Sequence, residues 1–233
     1  INEVFHTSYS EEKPFEQLRN EHYEKLGKII TDSILQIEDC TYHLECQSSL
    51  DGRMVIRMFE YDFSIALELA QKNNETFEIE FPQSCVLYIR NHREHSLPDY
   101  HEAIVKFADG QQIVYRVPIL RAQNYTVDSI FEKRLLILLP YHILRYESFL
   151  KNSGTNRKKF EQLLTDYQKI SSALEQCTND KKSTLYIDMI TLIEEIADHI
   201  IPKDNEKIRE RLGDIMGGKI LKLESERLRE LGE

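Results

Sequence analysis

Residues 31–62 read TDSILQIEDCTYHLECQSSLDGRMVIRMFEYD, and the way this stretch pairs with itself decides the fold. Extended back to Lys28, its first part (KIITDSILQI, 28–37) is rich in β-branched residues. Tyr42 to Ser48 (YHLECQS) alternates polar and apolar residues with the period of two that suits a half-buried strand. Two antiparallel strands are expected. A two-residue turn at Glu38-Asp39 pairs Ile37 with Cys40, and the same register sets Asp32 directly opposite Glu45. Strand alternation then places His43 and Gln47 on the face of Glu45. After Asp51-Gly52, Arg53 to Lys72 carries Met54, Ile56, Met58, Phe59, Phe63, Ile65, Leu67 and Leu69 at mostly helical spacings, which predicts a helix lying on the sheet.

Upstream, Ile1 to Phe5 reads as the last turn of a helix whose start lies before Ile1, so a fragment with a truncated N-terminal helix is expected. Pro14 opens a second predicted helix that Gly27 closes. Downstream, Ser84 to Arg90 is a buried-strand candidate, and His101–Ala108 and Gln111–Leu120 flank Asp109-Gly110 as a hairpin. Beyond Asn124 the pattern is helical, with Thr126 and Asp128 as candidate caps, Pro140 as a kink and Asn152-Ser153-Gly154 as a boundary. The expected organisation is a domain over 1–150 and a helical extension over 151–233. The spacing in that extension fits packed or paired helices, and its end, Lys219 to Glu233, mixes Leu with charged residues. A solvated face is the commoner source of such a pattern; self-association into a homo-oligomer through these helices is the other.

Bulk properties narrow the function classes. With 41% hydrophobic and 30% charged residues, the composition is that of a soluble globular protein. The longest apolar run, Leu135 to Leu139, is far too short to span a bilayer, so no membrane partner is expected. Cys40, Cys46, Cys85 and Cys177 show no zinc-ligand spacing and fit a reducing, cytoplasmic setting. P-loop, nucleophile-elbow, zincin and dinucleotide fingerprints are all absent from the sequence. The formal net charge of -10 runs against nucleic-acid binding, in which Lys and Arg contacts to phosphate supply most of the affinity.

The chemistry sits in the carboxylate pair. Two ionised carboxylates opposite each other on neighbouring strands repel, and a divalent cation between them resolves the conflict. Hard oxygen ligands suit Mg²⁺ or Mn²⁺, which polarise a phosphate and acidify an attacking water. On spacing alone, ordinary polar residues on the wet face of a hairpin are the commoner source of such a pair. Two further groupings carry less. His92, His95 and His101 have the irregular spacing of a surface loop. Lys151, Arg157, Lys158 and Lys159 could meet a nucleic-acid backbone, though such runs usually solvate a helix.

The run 31–62 resembles the core of the Rpn family, the recombination-promoting nucleases also called YhgA-like or transposase-31 proteins, which are similar to PD-(D/E)xK enzymes. The resemblance continues through FPQSCVLYIR (81–90), YRVPIL (115–120) and QNYTVDSIFEKRLLILLPYHILRYE (123–147). It implies an α/β fold, a restriction-endonuclease-like mixed sheet flanked by helices, and a metal-dependent DNA endonuclease that hydrolyses phosphodiester bonds in recombination or mobile-element contexts. On that pattern Asp32 and Glu45 are the metal ligands, the Cys46 main-chain carbonyl is a third, and Gln47 occupies the place of the motif's Lys. Arg57 and Tyr61, one turn apart on the following helix, are then the substrate-phosphate contacts, with helix–sheet packing as their other reading. Gln47 lacks the charge of the Lys it replaces. A catalytically inactive nuclease-fold protein, acting as an interaction or oligomerisation module, is therefore the alternative function.

Overall fold

The hairpin that opened the reading is formed as expected. In a computed structural model, β4 (Ser33–Ile37) and β5 (Cys40–Gln47) pair antiparallel with Ile37 opposite Cys40 and Ser33 opposite Leu44. The structure describes residues 1–10, 12–24, 27–30, 32–73, 75–90, 98–152, 156–178 and 183–216, with backbone only for 21–24 and 27–30. The turn between β4 and β5 places Glu38 at φ 54°, a left-handed conformation that costs a side-chain-bearing residue about 1–2 kcal/mol. Gln36 Nε2 donates to the Glu38 carbonyl at 2.7 Å, and Lys13 forms an ion pair with the Glu38 carboxylate, so the turn is tied on both sides.

Around this hairpin a six-stranded mixed sheet is built in the order β1 (Glu16–Gln17), β4, β5, β8 (Gln83–Tyr88), β10 (Gln112–Arg121), β9 (Tyr100–Lys106). β5, β8 and β10 run parallel, while β1 on β4 and β9 on β10 are antiparallel. Parallel neighbours need a crossover. Between β5 and β8 it contains α2 (Met54–Glu68), whose Met54 and Met58 form a core with Val86, Tyr88, Val117 and Ile119 from β8 and β10. Two-stranded ribbons complete the region, β2 (Glu21–Glu24) with β3 (Gly27–Ile30) and β6 (Gln71–Asn73) with β7 (Thr76–Glu78). On the opposite face of the sheet, Phe5 of the one-turn helix α1 (Asn2–Phe5) lies 5.1 Å from the buried Tyr42 ring, centroid to centroid.

Three elements differ from the sequence reading. The helix predicted from Pro14 to Gly27 is not formed, and Glu16–Gln17 is instead an edge strand on β4, continued by Leu18 N–H donating to Ile34 O at 2.9 Å. The open edge of β4 offers main-chain partners that outweigh the helical preference of a segment with few apolar residues. The strand expected over 28–37 is two strands, β3 and β4, in separate sheets. The helix expected to reach Lys72 stops at Glu68 because Gln71–Asn73 pairs with Thr76–Glu78. The Asp109-Gly110 hairpin is present, with Gly110 at φ 89° and Gln111 N–H donating to Asp109 Oδ1 at 3.0 Å.

The chain divides into two compact units, Ile1–Arg121 and Ala122–Glu233. The division falls at the end of β10, ahead of the boundary expected at 150/151, because the helical segments that begin after Arg121 pack with the later helices. The second unit holds α3 (Val127–Glu132), a 3-10 segment over Leu136–Tyr146 that contains Pro140, α4 (Glu147–Lys151), α5 (Arg157–Thr178), α6 (Thr184–Ile200) and α7 (Glu206–Ile215). Thr126 caps α3 by accepting from Ser129 N–H. Its core includes Leu163, Tyr167, Ile170 and Leu174 of α5 with Ile193 and Ala197 of α6 and Leu212 of α7. Among the described residues no helix is long and apolar enough to cross a membrane. Residues 153–154 of the expected boundary loop and the predicted helical end over 219–233 lie outside the described residues.

Candidate metal centre on the hairpin

The hairpin register brings Asp32 and Glu45 together just where the β4 ladder ends. Beyond Ser33 the pairing continues through side chains. Asp32 N–H donates to Glu45 Oε1 at 3.0 Å, and Cys46 N–H donates to Asp32 Oδ2 at 2.6 Å. Each carboxylate is thus held by main chain from the other's strand. The two differ in solvation, since Asp32 is exposed and Glu45 retains only 2% of its accessible surface. Desolvation raises the Asp32 pKa first, the Cys46 N–H opposes it, and the Glu45 charge adds to the rise.

The donor set fits a hard divalent cation. Asp32 and Glu45 each make their hydrogen bonds through one oxygen, leaving Asp32 Oδ1 and Glu45 Oε2 without hydrogen-bond partners among the described residues. In a strand, a residue's N–H and C=O point to the same side. Because Cys46 N–H reaches Asp32, the Cys46 carbonyl also faces the β4 side, as the resemblance implied. Burial, followed by the Asp32 and Glu45 charges, pushes the Cys46 thiol up to about 11. Among the described residues no three His, Cys, Asp or Glu side chains form a metal-holding group. The candidate set is two carboxylates and a main-chain carbonyl.

Behind Glu45 lies a polar chain that the sequence reading did not assign. His43 shares the Glu45 face, as alternation requires, and its Nε2 meets Glu45 Oε1 at 3.1 Å while its Nδ1 meets Asp62 Oδ1 at 2.6 Å. The Tyr115 hydroxyl of β10 donates to the other Asp62 oxygen. His43 and Asp62 are both fully buried at 0% exposure. Burial alone would lower the His43 pKa, but hydrogen bonds to Asp62 and Glu45 outweigh it and push the imidazole up to about 9. A signal for Asp62 was present: it follows Met54 and Met58 at intervals of four, a carboxylate on the buried stripe of α2.

The remaining candidates flank this pair. Gln47 ends β5 opposite Tyr88 of β8, on the same sheet face as Glu45. Arg57 Nε and Nη2 each lie 3.4 Å from the Tyr61 hydroxyl, its guanidinium sits 5.6 Å from that ring's centroid, and Nη1 donates to Asp51 Oδ2 at 3.1 Å. Arg57 and Tyr61 therefore share one face, and Arg57 lies close enough to act electrostatically on both Asp32 and Glu45. The Arg53 N–H, followed by the Arg57 guanidinium, holds the Asp51 carboxyl below its usual range. His101, grouped by sequence with a surface loop, stands instead in β9, where its Nε2 lies 3.0 Å from the hydroxyl of Tyr88, a residue the sequence reading did not single out. His92 and His95 lie outside the described residues. In the second unit, two members of the basic run have partners on their own helices, Lys151 pairing with Glu147 and Arg157 with Glu161, each at 2.8 Å.

Comparison with protein-family models, curated proteins and solved structures finds no match for this chain.

Proposed function

We propose that the chain is a Mg²⁺- or Mn²⁺-dependent DNA endonuclease of the Rpn, PD-(D/E)xK type, with its centre at Asp32 and Glu45. The observation that carries this reading is the reciprocal tie between the two carboxylates, which holds them together at a strand end with a main-chain carbonyl facing the same gap. A like-charge pair so fixed is a cost to the metal-free fold and an asset to a cation site.

Asp32, Glu45 and the Cys46 carbonyl would hold the ion. When bound, it supplies Lewis-acid polarisation of a phosphoryl oxygen and lowers the pKa of an attacking water. Gln47, on the face of Glu45, offers an amide that both donates and accepts, suited to orienting water or a phosphate oxygen. Arg57 presents a planar guanidinium suited to bidentate phosphate contact, and Tyr61 and Asp51 limit its rotamers. The acidic balance of the chain makes non-specific DNA affinity weak and strongly salt-dependent.

Cleavage of supercoiled plasmid tests the reading. Wild type with Mg²⁺ or Mn²⁺ should nick the plasmid, and folded Asp32→Asn and Glu45→Gln should not. Equal cleavage by all three proteins would remove the assignment.

A further inference from the structure

We infer that Tyr115, Asp62 and His43 form a buried positioning relay that fixes the Glu45 carboxylate with one oxygen turned toward the gap beside Asp32, an inference that rests on the nuclease reading above. The relay consists of consecutive hydrogen bonds drawn from β10, α2 and β5: Tyr115 hydroxyl to Asp62, Asp62 to His43 Nδ1 at 2.6 Å, and His43 Nε2 to Glu45 Oε1 at 3.1 Å.

The chemistry of the partners sets the roles. His43 has a carboxylate on each ring nitrogen, so the ring is held from both sides and cannot turn without breaking a buried contact. Buried polar networks of this kind carry a desolvation cost that apolar side chains of the same volume avoid. A fully buried His between two carboxylates therefore has a role beyond packing, and this one ends on a residue of the candidate centre. Glu45 Oε1 is occupied by two donors, His43 and the Asp32 N–H. That fixes the plane of the carboxylate and leaves Oε2 as its open donor atom. His43, Asp62 and Tyr115 act through Glu45 and are positioning residues.

Two measurements on the full chain test this. In the metal-free protein, ¹H–¹⁵N spectra of the imidazoles should show a hydrogen-bonded, slowly exchanging His43 ring proton whose shift moves in Asp62→Asn; a His43 ring that exchanges freely with solvent overturns the relay. Mn²⁺ affinity, followed by electron paramagnetic resonance, should fall about 10- to 100-fold in His43→Gln and in Asp62→Asn, with the double variant no worse than His43→Gln alone. A folded His43→Gln that keeps wild-type Mn²⁺ affinity overturns the relay while leaving the nuclease reading intact. Wild type that binds no Mn²⁺ overturns the nuclease reading, and the imidazole spectrum still decides the relay. Should His43→Gln fail to fold, Tyr115→Phe keeps the ring and both carboxylates. It should weaken Mn²⁺ binding several-fold, and an unchanged affinity overturns the inference.

Discussion

Asp32 and Glu45 are bonded across the end of the hairpin, the Asp32 main-chain N–H donating to Glu45 Oε1 at 3.0 Å. With the Cys46 N–H donating to Asp32 Oδ2 at 2.6 Å, that bond holds two acidic side chains side by side at the strand end. In the metal-free protein, Asp32→Asn keeps an acceptor for the Cys46 N–H and removes the repulsion. It is expected to melt at or above wild type, by up to about 1 kcal/mol. A clear loss of stability in differential scanning calorimetry would contradict the like-charge account.

The orientation of α2 is tested by a contrast of two substitutions. Met58 is fully buried against the sheet, whereas Ile56 is 53% exposed. Met58→Ala should cost about 2–5 kcal/mol in urea unfolding, and Ile56→Ala within about 0.5 kcal/mol. Comparable losses would mean that the helix packs on a different face.

Much of the first unit was legible for local reasons. The period of two over 42–48, the two-residue turn and the Asp109-Gly110 signal are properties of neighbouring residues, and they placed Glu45, Gln47 and the hairpin register. Edge pairing was not legible. Whether residues 14–27 form a helix or supply a strand to β4 depends on an open sheet edge that only the folded sheet presents. The same holds for the polar chain behind the site. Asp62 and Tyr115 lie 53 positions apart, and only the packing of α2 on β10 joins them. Arg57 and Tyr61 could be assigned to one helical face by spacing, but Asp51 as the partner of Arg57 required the loop to be built.

In the second unit, Arg209 closes the end of α6. Its guanidinium donates to the carbonyls of Asp198 and Ile201 at 3.1 and 2.7 Å and to Asp198 Oδ1 at 2.6 Å. Arg209→Lys cannot reproduce this fork and should destabilise the protein by about 2–3 kcal/mol. Near wild-type thermal stability would show that the cap contributes little.

Asp166 gives the second unit a pH dependence. Desolvation would raise its pKa, but hydrogen bonds from His142 at 2.9 Å and Tyr146 at 2.5 Å outweigh that and lower it. A depressed carboxyl stabilises the fold above its unfolded value, about 3.9, and that stability is lost as pH falls through the folded value. Asp166→Asn should flatten the acid limb of the stability–pH curve measured by denaturant unfolding. An unchanged limb would contradict the assignment.

The central claim is that Asp32 and Glu45 hold a divalent cation, and thermal melting with and without Mn²⁺ tests it most directly. Binding to the native state alone stabilises it by about 2.7 kcal/mol at a hundredfold excess over the dissociation constant. Wild type should therefore show a clear rise in melting temperature that folded Asp32→Asn and Glu45→Gln lack. No rise in wild type, or an equal rise in all three, would contradict the site and favour a nuclease-like fold serving as an interaction module.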